Sequence, residues 1–238
     1  MGIDFTVVDP LPGTDRLEIA AGRVKLRRFT RGDLEHRCTW PPYDEPVFGH
    51  LNLRLDTPRQ RDAWFQREWT VRQPFWFAVE DETGRLIGSI TLRDVSRWRR
   101  TSRLGIHLHP KRLSVGYGTE ALRLLMDYYF NVLRYRLLKL DVAAHNKRAI
   151  RCYEKLGFKL MFEFWRPNVS GIQWLKDRRF EHLRQYVRRR RGIEQIRHLE
   201  MHLDAKTNRR MRMEKQGDTF DTGSPRTRPA GEDGDEGI

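Results

Sequence analysis

The stretch Arg103-Leu104-Gly105-Ile106-His107-Leu108-His109-Pro110-Lys111-Arg112-Leu113-Ser114-Val115-Gly116-Tyr117-Gly118-Thr119-Glu120-Ala121-Leu122-Arg123-Leu124-Leu125 changes character twice. Residues 103 to 109 alternate and read as a strand. Pro110 and the Gly116/Gly118 pair read as a turn, and Ala121, Leu122, Leu124, Leu125, Tyr128, Tyr129 and Val132 recur at helical spacing. Strand, glycine turn and helix in direct succession gather unpaired backbone N–H groups and a positive helix end around one point. Glycine lets an anion approach the backbone, and Lys111 and Arg112 add charge at the rim. Taken alone the turn is an anion site of open ligand or an ordinary turn. It has no G-x-x-x-x-G-K-[ST] run and no third glycine of a dinucleotide fingerprint.

Working outward, residues 1–22 read as an irregular lead-in, with Pro10, Pro12, Gly13 and Gly22 among polar groups. A strand is expected over Val24 to Phe29. Thr30 and Asp33 form a capping box for a short helix to Cys38, which Trp40-Pro41-Pro42-Tyr43 breaks. Thr57-Pro58 opens a second helix to residue 72. Phe75 to Val79 and Leu86 to Leu92 read as an antiparallel strand pair around Glu82-Thr83-Gly84. Leu137 to Val142 is a strand, Asn146 to Leu156 a helix stopped by Gly157, and Phe158 to Trp165 a last strand. This mixed order indicates an α/β or α+β architecture.

Two motifs together carry a family resemblance. Val115-Gly116-Tyr117-Gly118-Thr119-Glu120-Ala121-Leu122 resembles the pyrophosphate loop of the GNAT acetyltransferases, and Asn146-Lys147-Arg148-Ala149-Ile150-Arg151-Cys152-Tyr153-Glu154-Lys155-Leu156-Gly157-Phe158 resembles their second signature. The resemblance covers residues 23–165 and leans toward the acetyltransferases of protein N-termini and small amines. It implies a GNAT-type mixed, mostly antiparallel twisted sheet flanked by helices, here with a C-terminal helical extension. It also implies direct transfer of an acetyl group from acetyl-CoA to a primary amine in a ternary complex, with no metal.

The resemblance assigns roles position by position. Ser114, Val115, Gly116, Tyr117, Gly118 and Thr119 hold the pyrophosphate through backbone N–H groups. Leu113 stands where the family commonly carries Gln or Arg, and Arg112, one position earlier, is expected to substitute. Leu108, at the end of its strand, and Asn146 meet the pantetheine arm; the residue-level alternative for Asn146 is an ordinary N-cap. Tyr153, seven residues after Asn146, is the general acid, or else a core tyrosine on the stripe Asn146, Ala149, Ile150, Tyr153. Asp141 is the first candidate base, where some protein-acetylating relatives carry Glu; its alternative is a salt-bridged strand carboxylate. His107 and His109 share a strand face and are further candidates. In the Trp40 to Leu55 loop, Asp44 and Glu45 are either solvated loop acids or the holders of a cationic amine between Trp40, Tyr43 and Phe48. Cys152 is expected to be a packed thiol.

Composition bounds the rest. A formal charge of +14 attracts polyanions, and seven Trp with twelve Phe indicate a folded core. Two cysteines support no disulfide framework, and no secretory or membrane-spanning segment is read, so the cytoplasm is the expected location. Residues 166–215 are expected to be a basic helical extension, with Phe180, Leu183, Val187 and Ile196, Leu199, Leu203 at helical spacing and Arg188 to Arg191 on a charged face. Such a surface suits nucleic acid, a ribosome or a second subunit. The alternative function is therefore an inactive acetyltransferase-like adaptor. Residues 216–238 are expected to be a disordered acidic tail.

Overall fold

A computed structural model describes residues 17–43, 45–72, 75–168 and 176–217. Asp44, most of the lead-in and nearly all of the acidic tail lie outside the described residues. The lead-in is not irregular throughout. Strand β1 (Glu18–Ala21) turns at Gly22, φ +61°, and pairs antiparallel with β2 (Val24–Arg28). Residues 17–21 alternate inward and outward, with Leu17 and Ile19 buried, so the same period-2 logic that marks β2 applies one hairpin earlier.

Helix α1 (Arg31–Cys38) begins with the expected capping box. The Asp33 N–H donates to Thr30 Oγ1 (3.3 Å) and the Thr30 N–H donates to Asp33 Oδ2 (2.7 Å). Burial pushes the Asp33 carboxyl up, but the Arg27 guanidinium, donating to both oxygens at 2.7 Å, and the Thr30 N–H hold it below the usual range. Helix α2 is Pro58–Arg72, followed by β3 (Trp76–Asp81), β4 (Leu86–Ser96) and β5 (Thr101–Leu108). Helix α3 (Tyr117–Asp127) runs on through one wider turn, Tyr128–Val132. Then come β6 (Leu137–Ala143), α4 (Lys147–Lys155), β7 (Lys159–Pro167), β8 (Val187–Arg190), β9 (Ile193–Asp204) and α5 (Ala205–Gly217).

The strands form one sheet in the order β1-β2-β3-β4-β5-β6-β9-β7, with β8 beside the first part of β9. All neighbours are antiparallel except β5 and β6. On one face α1 and α2 cover Trp76 and Ala78, with Phe29 stacked on Trp76 at 4.2 Å. On the other, α3 packs Leu122, Leu125 and Tyr129 over Phe77, Ile90 and Leu138, all 0–1% exposed. The parallel pair has a consequence for the site. It is in register only from Thr101/Leu137 to Leu104/Leu140, and beyond that the strands part.

The described part of residues 166–215 is for the most part not the expected helical extension but 3₁₀ turns and the strands β8 and β9. Ile196, Leu199 and Leu203 lie on strand β9, which enters the sheet between β6 and β7. Leu199, Met201 and Leu203 alternate into the α3 side of the core, whereas Ile196 differs from them in parity and faces the opposite side. Residues from two faces of a doubly buried strand thus imitate helical spacing. Phe180 and Leu183 lie in short 3₁₀ turns, Arg178–Tyr186, and Val187 begins β8. The helical part is α5, which Arg212 fastens to α3 by an ion pair with the buried Asp127. No described helix is long and apolar enough to cross a membrane.

Met201 is 1% exposed on β9. Met201→Ala is therefore expected to cost about 2–4 kcal/mol in urea unfolding, a core penalty that a residue on an appended arm would not show.

Candidate active site

Where β5 and β6 part, backbone groups are left facing a gap. His109 donates its N–H to Ile87 C=O (2.7 Å), so the odd-numbered residues of β5 bond toward β4. The even-numbered Ile106 and Leu108 therefore direct their N–H and C=O groups toward the side that β6 has left. The Tyr43 hydroxyl, from the loop after α1, donates to the Leu108 carbonyl at 2.5 Å. This gap continues into a cleft of about 410 Å³, walled by Tyr43, Phe48, Ile106, His107 and Leu108 on one side and by the starts of α3 and α4 on the other.

The glycine turn forms the cleft's floor. Gly116 has φ +98°, and a Cβ there would stand 3.0 Å from Arg23 Nη2. A Cβ on Gly118 would come within 2.8 Å of Leu108 Cδ1 and would push that side chain aside, so α3 begins in close contact with the end of β5. Ser114 holds φ +65° without the freedom of glycine. Among the described residues no acceptor takes the N–H groups of Gly116, Tyr117 and Gly118 at the start of α3. Arg23 braces the turn from the β1–β2 hairpin: Nη2 donates to the Val115 carbonyl (3.1 Å) and Nε to Glu120 Oε1 (3.1 Å).

Helix α4 supplies the facing wall. Asn146 Oδ1 accepts the Ala149 N–H (3.2 Å), so the N-cap reading holds in the geometry, and Asn146 also lines the cleft. Thr119 Oγ1 and Cys152 Sγ lie 3.2 Å apart and join the two motifs across α3 and α4. Tyr153 is 8% exposed and packs against Phe158 at 5.8 Å, so it is a core tyrosine, and it also lines the cleft. Burial, with the neighbouring Cys152 thiol, pushes its phenol well above the ordinary value.

Other candidates lie elsewhere. Asp141 is absent from the cleft wall and is clamped by Arg103 and by Arg166 (2.7 Å). That is the salt-bridged strand carboxylate, placed there because odd-numbered β6 residues face away from α3. Arg112 pairs with Asp81 (3.1 Å) and lines a separate hollow with His109, whose Nδ1 accepts the Lys111 N–H (3.1 Å). Burial and the cations Arg112 and Lys111 hold His109 below its ordinary value. His107 does line the cleft. Tyr117 turns inward, 4% exposed, with its hydroxyl on Glu82 (3.0 Å), and Val115 points to solvent at 52%. Glu45 is exposed and accepts the Phe48 N–H (2.9 Å) through its backbone carbonyl, and Asp44 lies outside the described residues.

Sequence reading missed the cleft's cations, Arg148, Arg151 and Lys155. Their signal was present as a second helical stripe beside the one through Tyr153. Arg23 had no such signal, since it acts from ninety-seven positions before its partner Glu120.

The chain belongs to the GNAT acetyltransferases: the model of the family's "Acetyltransferase (GNAT) domain" matches residues 23–159. It is 37% identical over 93 residues to the spermidine N(1)-acetyltransferase of Escherichia coli (strain K12), which covers 37% of this chain and 50% of that enzyme. To the Vibrio cholerae spermidine N(1)-acetyltransferase it is 30% identical over 82 residues, 34% of this chain and 47% of that one. To the aminoglycoside N(6')-acetyltransferase type 1 of Serratia marcescens it is 33% identical over 80 residues, 33% and 40% of the two chains. The chain thus spans about half the length of the curated relatives it matches. Among solved structures, a GCN5-related N-acetyltransferase from Brucella melitensis shares the fold with a TM-score of 0.64 at 18% identity, over 87% of this chain and 86% of that one. The Vibrio cholerae spermidine N-acetyltransferase in complex with CoA and spermine has a TM-score of 0.57 at 18% identity, over 78% and 98%.

The Arg23 hydrogen bond holds the Glu120 carboxyl below its ordinary value. Its contribution is fully present above about pH 4.3, the ordinary glutamate value, and is lost as pH falls through the lower folded value. Arg23→Ala is expected to lower the thermal midpoint at pH 7. The two midpoints should converge as the pH is taken below 4; a gap that stays constant would assign the effect to something other than this pair.

Proposed function

We propose that the chain is an N-acetyltransferase that moves an acetyl group from acetyl-CoA to the primary amine of a small molecule or a protein N-terminus within a ternary complex. The observation that carries this is a single cleft in which the glycine turn, the unpaired backbone of β5 and the buried Tyr153 meet. Family membership points the same way, and the named relatives act on spermidine and aminoglycosides, both amines.

The residues present fit the donor. The N–H groups of Gly116, Tyr117 and Gly118 at the start of α3 suit a pyrophosphate. Arg148, Arg151 and Lys155 supply cations for its phosphates, in the role first assigned to Arg112. Ile106 and Leu108 offer backbone groups to the amides of the pantetheine arm, with Tyr43 already satisfying the Leu108 carbonyl. When bound, acetyl-CoA supplies an activated thioester.

Tyr153 carries its proton at neutral pH as any phenol does, burial holds that proton more firmly, and its place on the cleft wall is what suits it to donate to a departing sulfur. For the opposite proton transfer we assign His107 in place of Asp141, since His107 faces the cleft while Asp141 is neutralised by two guanidiniums. Tyr43 and Phe48 wall the acceptor's entrance.

Tyr153→Phe is expected to lower kcat about 10²–10³-fold while leaving acetyl-CoA affinity within about twofold. Coenzyme A thiol release with spermidine, an aminoglycoside and a short peptide measures the first, and calorimetry the second; unchanged turnover removes the acid role. Gly116→Val should weaken calorimetric acetyl-CoA binding at least about tenfold, because φ +98° at this turn position strains any side chain; undiminished affinity removes the loop assignment.

A further inference from the structure

The end of the sheet opposite the cleft contributes no residue to the cleft's lining. There the β4–β5 turn runs Arg97-Trp98-Arg99-Arg100, and the segment entering β6 is Arg134-Tyr135-Arg136. The two are bonded to each other. The Arg136 N–H donates to the Arg100 carbonyl (2.8 Å), and the Ala205 N–H, at the start of α5, donates to the Arg136 carbonyl (3.0 Å).

The side chains of Arg97, Arg99, Arg100, Arg134 and Arg136 are exposed, and among the described residues none is in an ion pair. The nearby acids are engaged elsewhere: Asp94 with Arg103 (3.3 Å), and Asp204 with the Thr207 N–H (2.8 Å) as it starts α5. Trp98 is 87% exposed between these cations, with the Arg99 guanidinium 5.9 Å from its ring centroid.

Backbone conformation adds an independent observation. Arg100 (φ +54°) and Arg134 (φ +58°) both sit in the left-handed region, where glycine or asparagine is the favoured residue. The chain thus carries arginines at positions whose backbone favours a different residue.

We propose that this end of the sheet binds single-stranded nucleic acid, with phosphates on the five arginines and a base stacked on Trp98. Aromatic faces between cations are the recurrent means of holding single strands without regard to sequence. A lipid surface fits less well, because membrane insertion uses several apolar groups. The other exposed large hydrophobic residues, Val115, Leu160, Met161, Phe162, Ile193 and Met213, lie in neither segment. The nucleic-acid partner expected of residues 166–215 is thereby moved to a different surface.

Fluorescein-labelled decauridylate, titrated into the full chain and followed by anisotropy, tests this. With about five phosphates neutralised, raising KCl from about 50 to about 200 mM should weaken binding about 100-fold. Trp98→Ala and Arg99→Glu should each weaken it about tenfold while acetyl-CoA affinity is unchanged. Arg134→Gly should weaken binding and raise the thermal midpoint, a combination that a merely structural arginine would not give. Affinity unaltered by Trp98→Ala and Arg99→Glu overturns the proposal, as does a salt slope near zero. So does binding to phosphatidylserine vesicles that depends on these residues while decauridylate does not bind.

Discussion

The parting of β5 from β6 is the constraint on which the site depends. Four residue pairs hold the two strands parallel, and then each strand turns to its other neighbour, β5 to β4 and β6 to β9. Parallel strands need a crossover, and α3 makes it, so the glycine turn starts at the open end of the gap. The twist accumulated across the sheet is then expressed as a wedge instead of a continuous ladder. Backbone groups inside the wedge would be costly if buried without partners, and the Tyr43 hydroxyl meets that need at Leu108. Cleft, glycine turn and the peptide groups that β6 leaves facing it are thus one feature seen from three sides.

Charge on the other face of the same strands follows a different rule. Arg103, on β5, reaches Asp141 on β6 and Glu200 on β9 (3.1 Å), and His202 Nε2 lies 2.6 Å from Glu200. Burial pushes the Glu200 carboxyl up, but His202 and Arg103 bring it below its ordinary value. This ladder ties three strands together just where the parallel ladder ends. A carboxylate held in such a network is stabilised as an anion, which suits it to fixing strands more than to taking a proton.

Much of this was legible in the sequence where structure is decided locally. The Thr30/Asp33 box, Gly157 at φ +94° after α4, and the strand–turn–helix through Gly116 and Gly118 are short-range features, and all appear at the expected residues. The sequence misled where distant pairing decides. Asp141 is the first candidate base by its position in the sequence, but its partners Arg103 and Arg166 come from β5 and β7. Arg112 was read as a phosphate ligand from its place beside the turn, whereas Asp81, on β3, holds it. The extension failed for the same reason: pairing on both edges of β9 outweighs the helical spacing of Ile196, Leu199 and Leu203.

That extension also changes what counts as the site. The family match ends at residue 159, yet the outer half of β6 is held by residues 198–200 of β9, and the Ala144 N–H donates to the Arg197 carbonyl (2.9 Å). Ala144 is two residues before the Asn146 cap that starts α4. One wall of the cleft therefore takes its position from a strand that arrives only after the segment between β7 and β9. Without β9, β6 would have no partner past Leu140, and the wedge would lose the side that keeps it open. The signature helix that identifies the family depends for its placement on residues that the signature does not include.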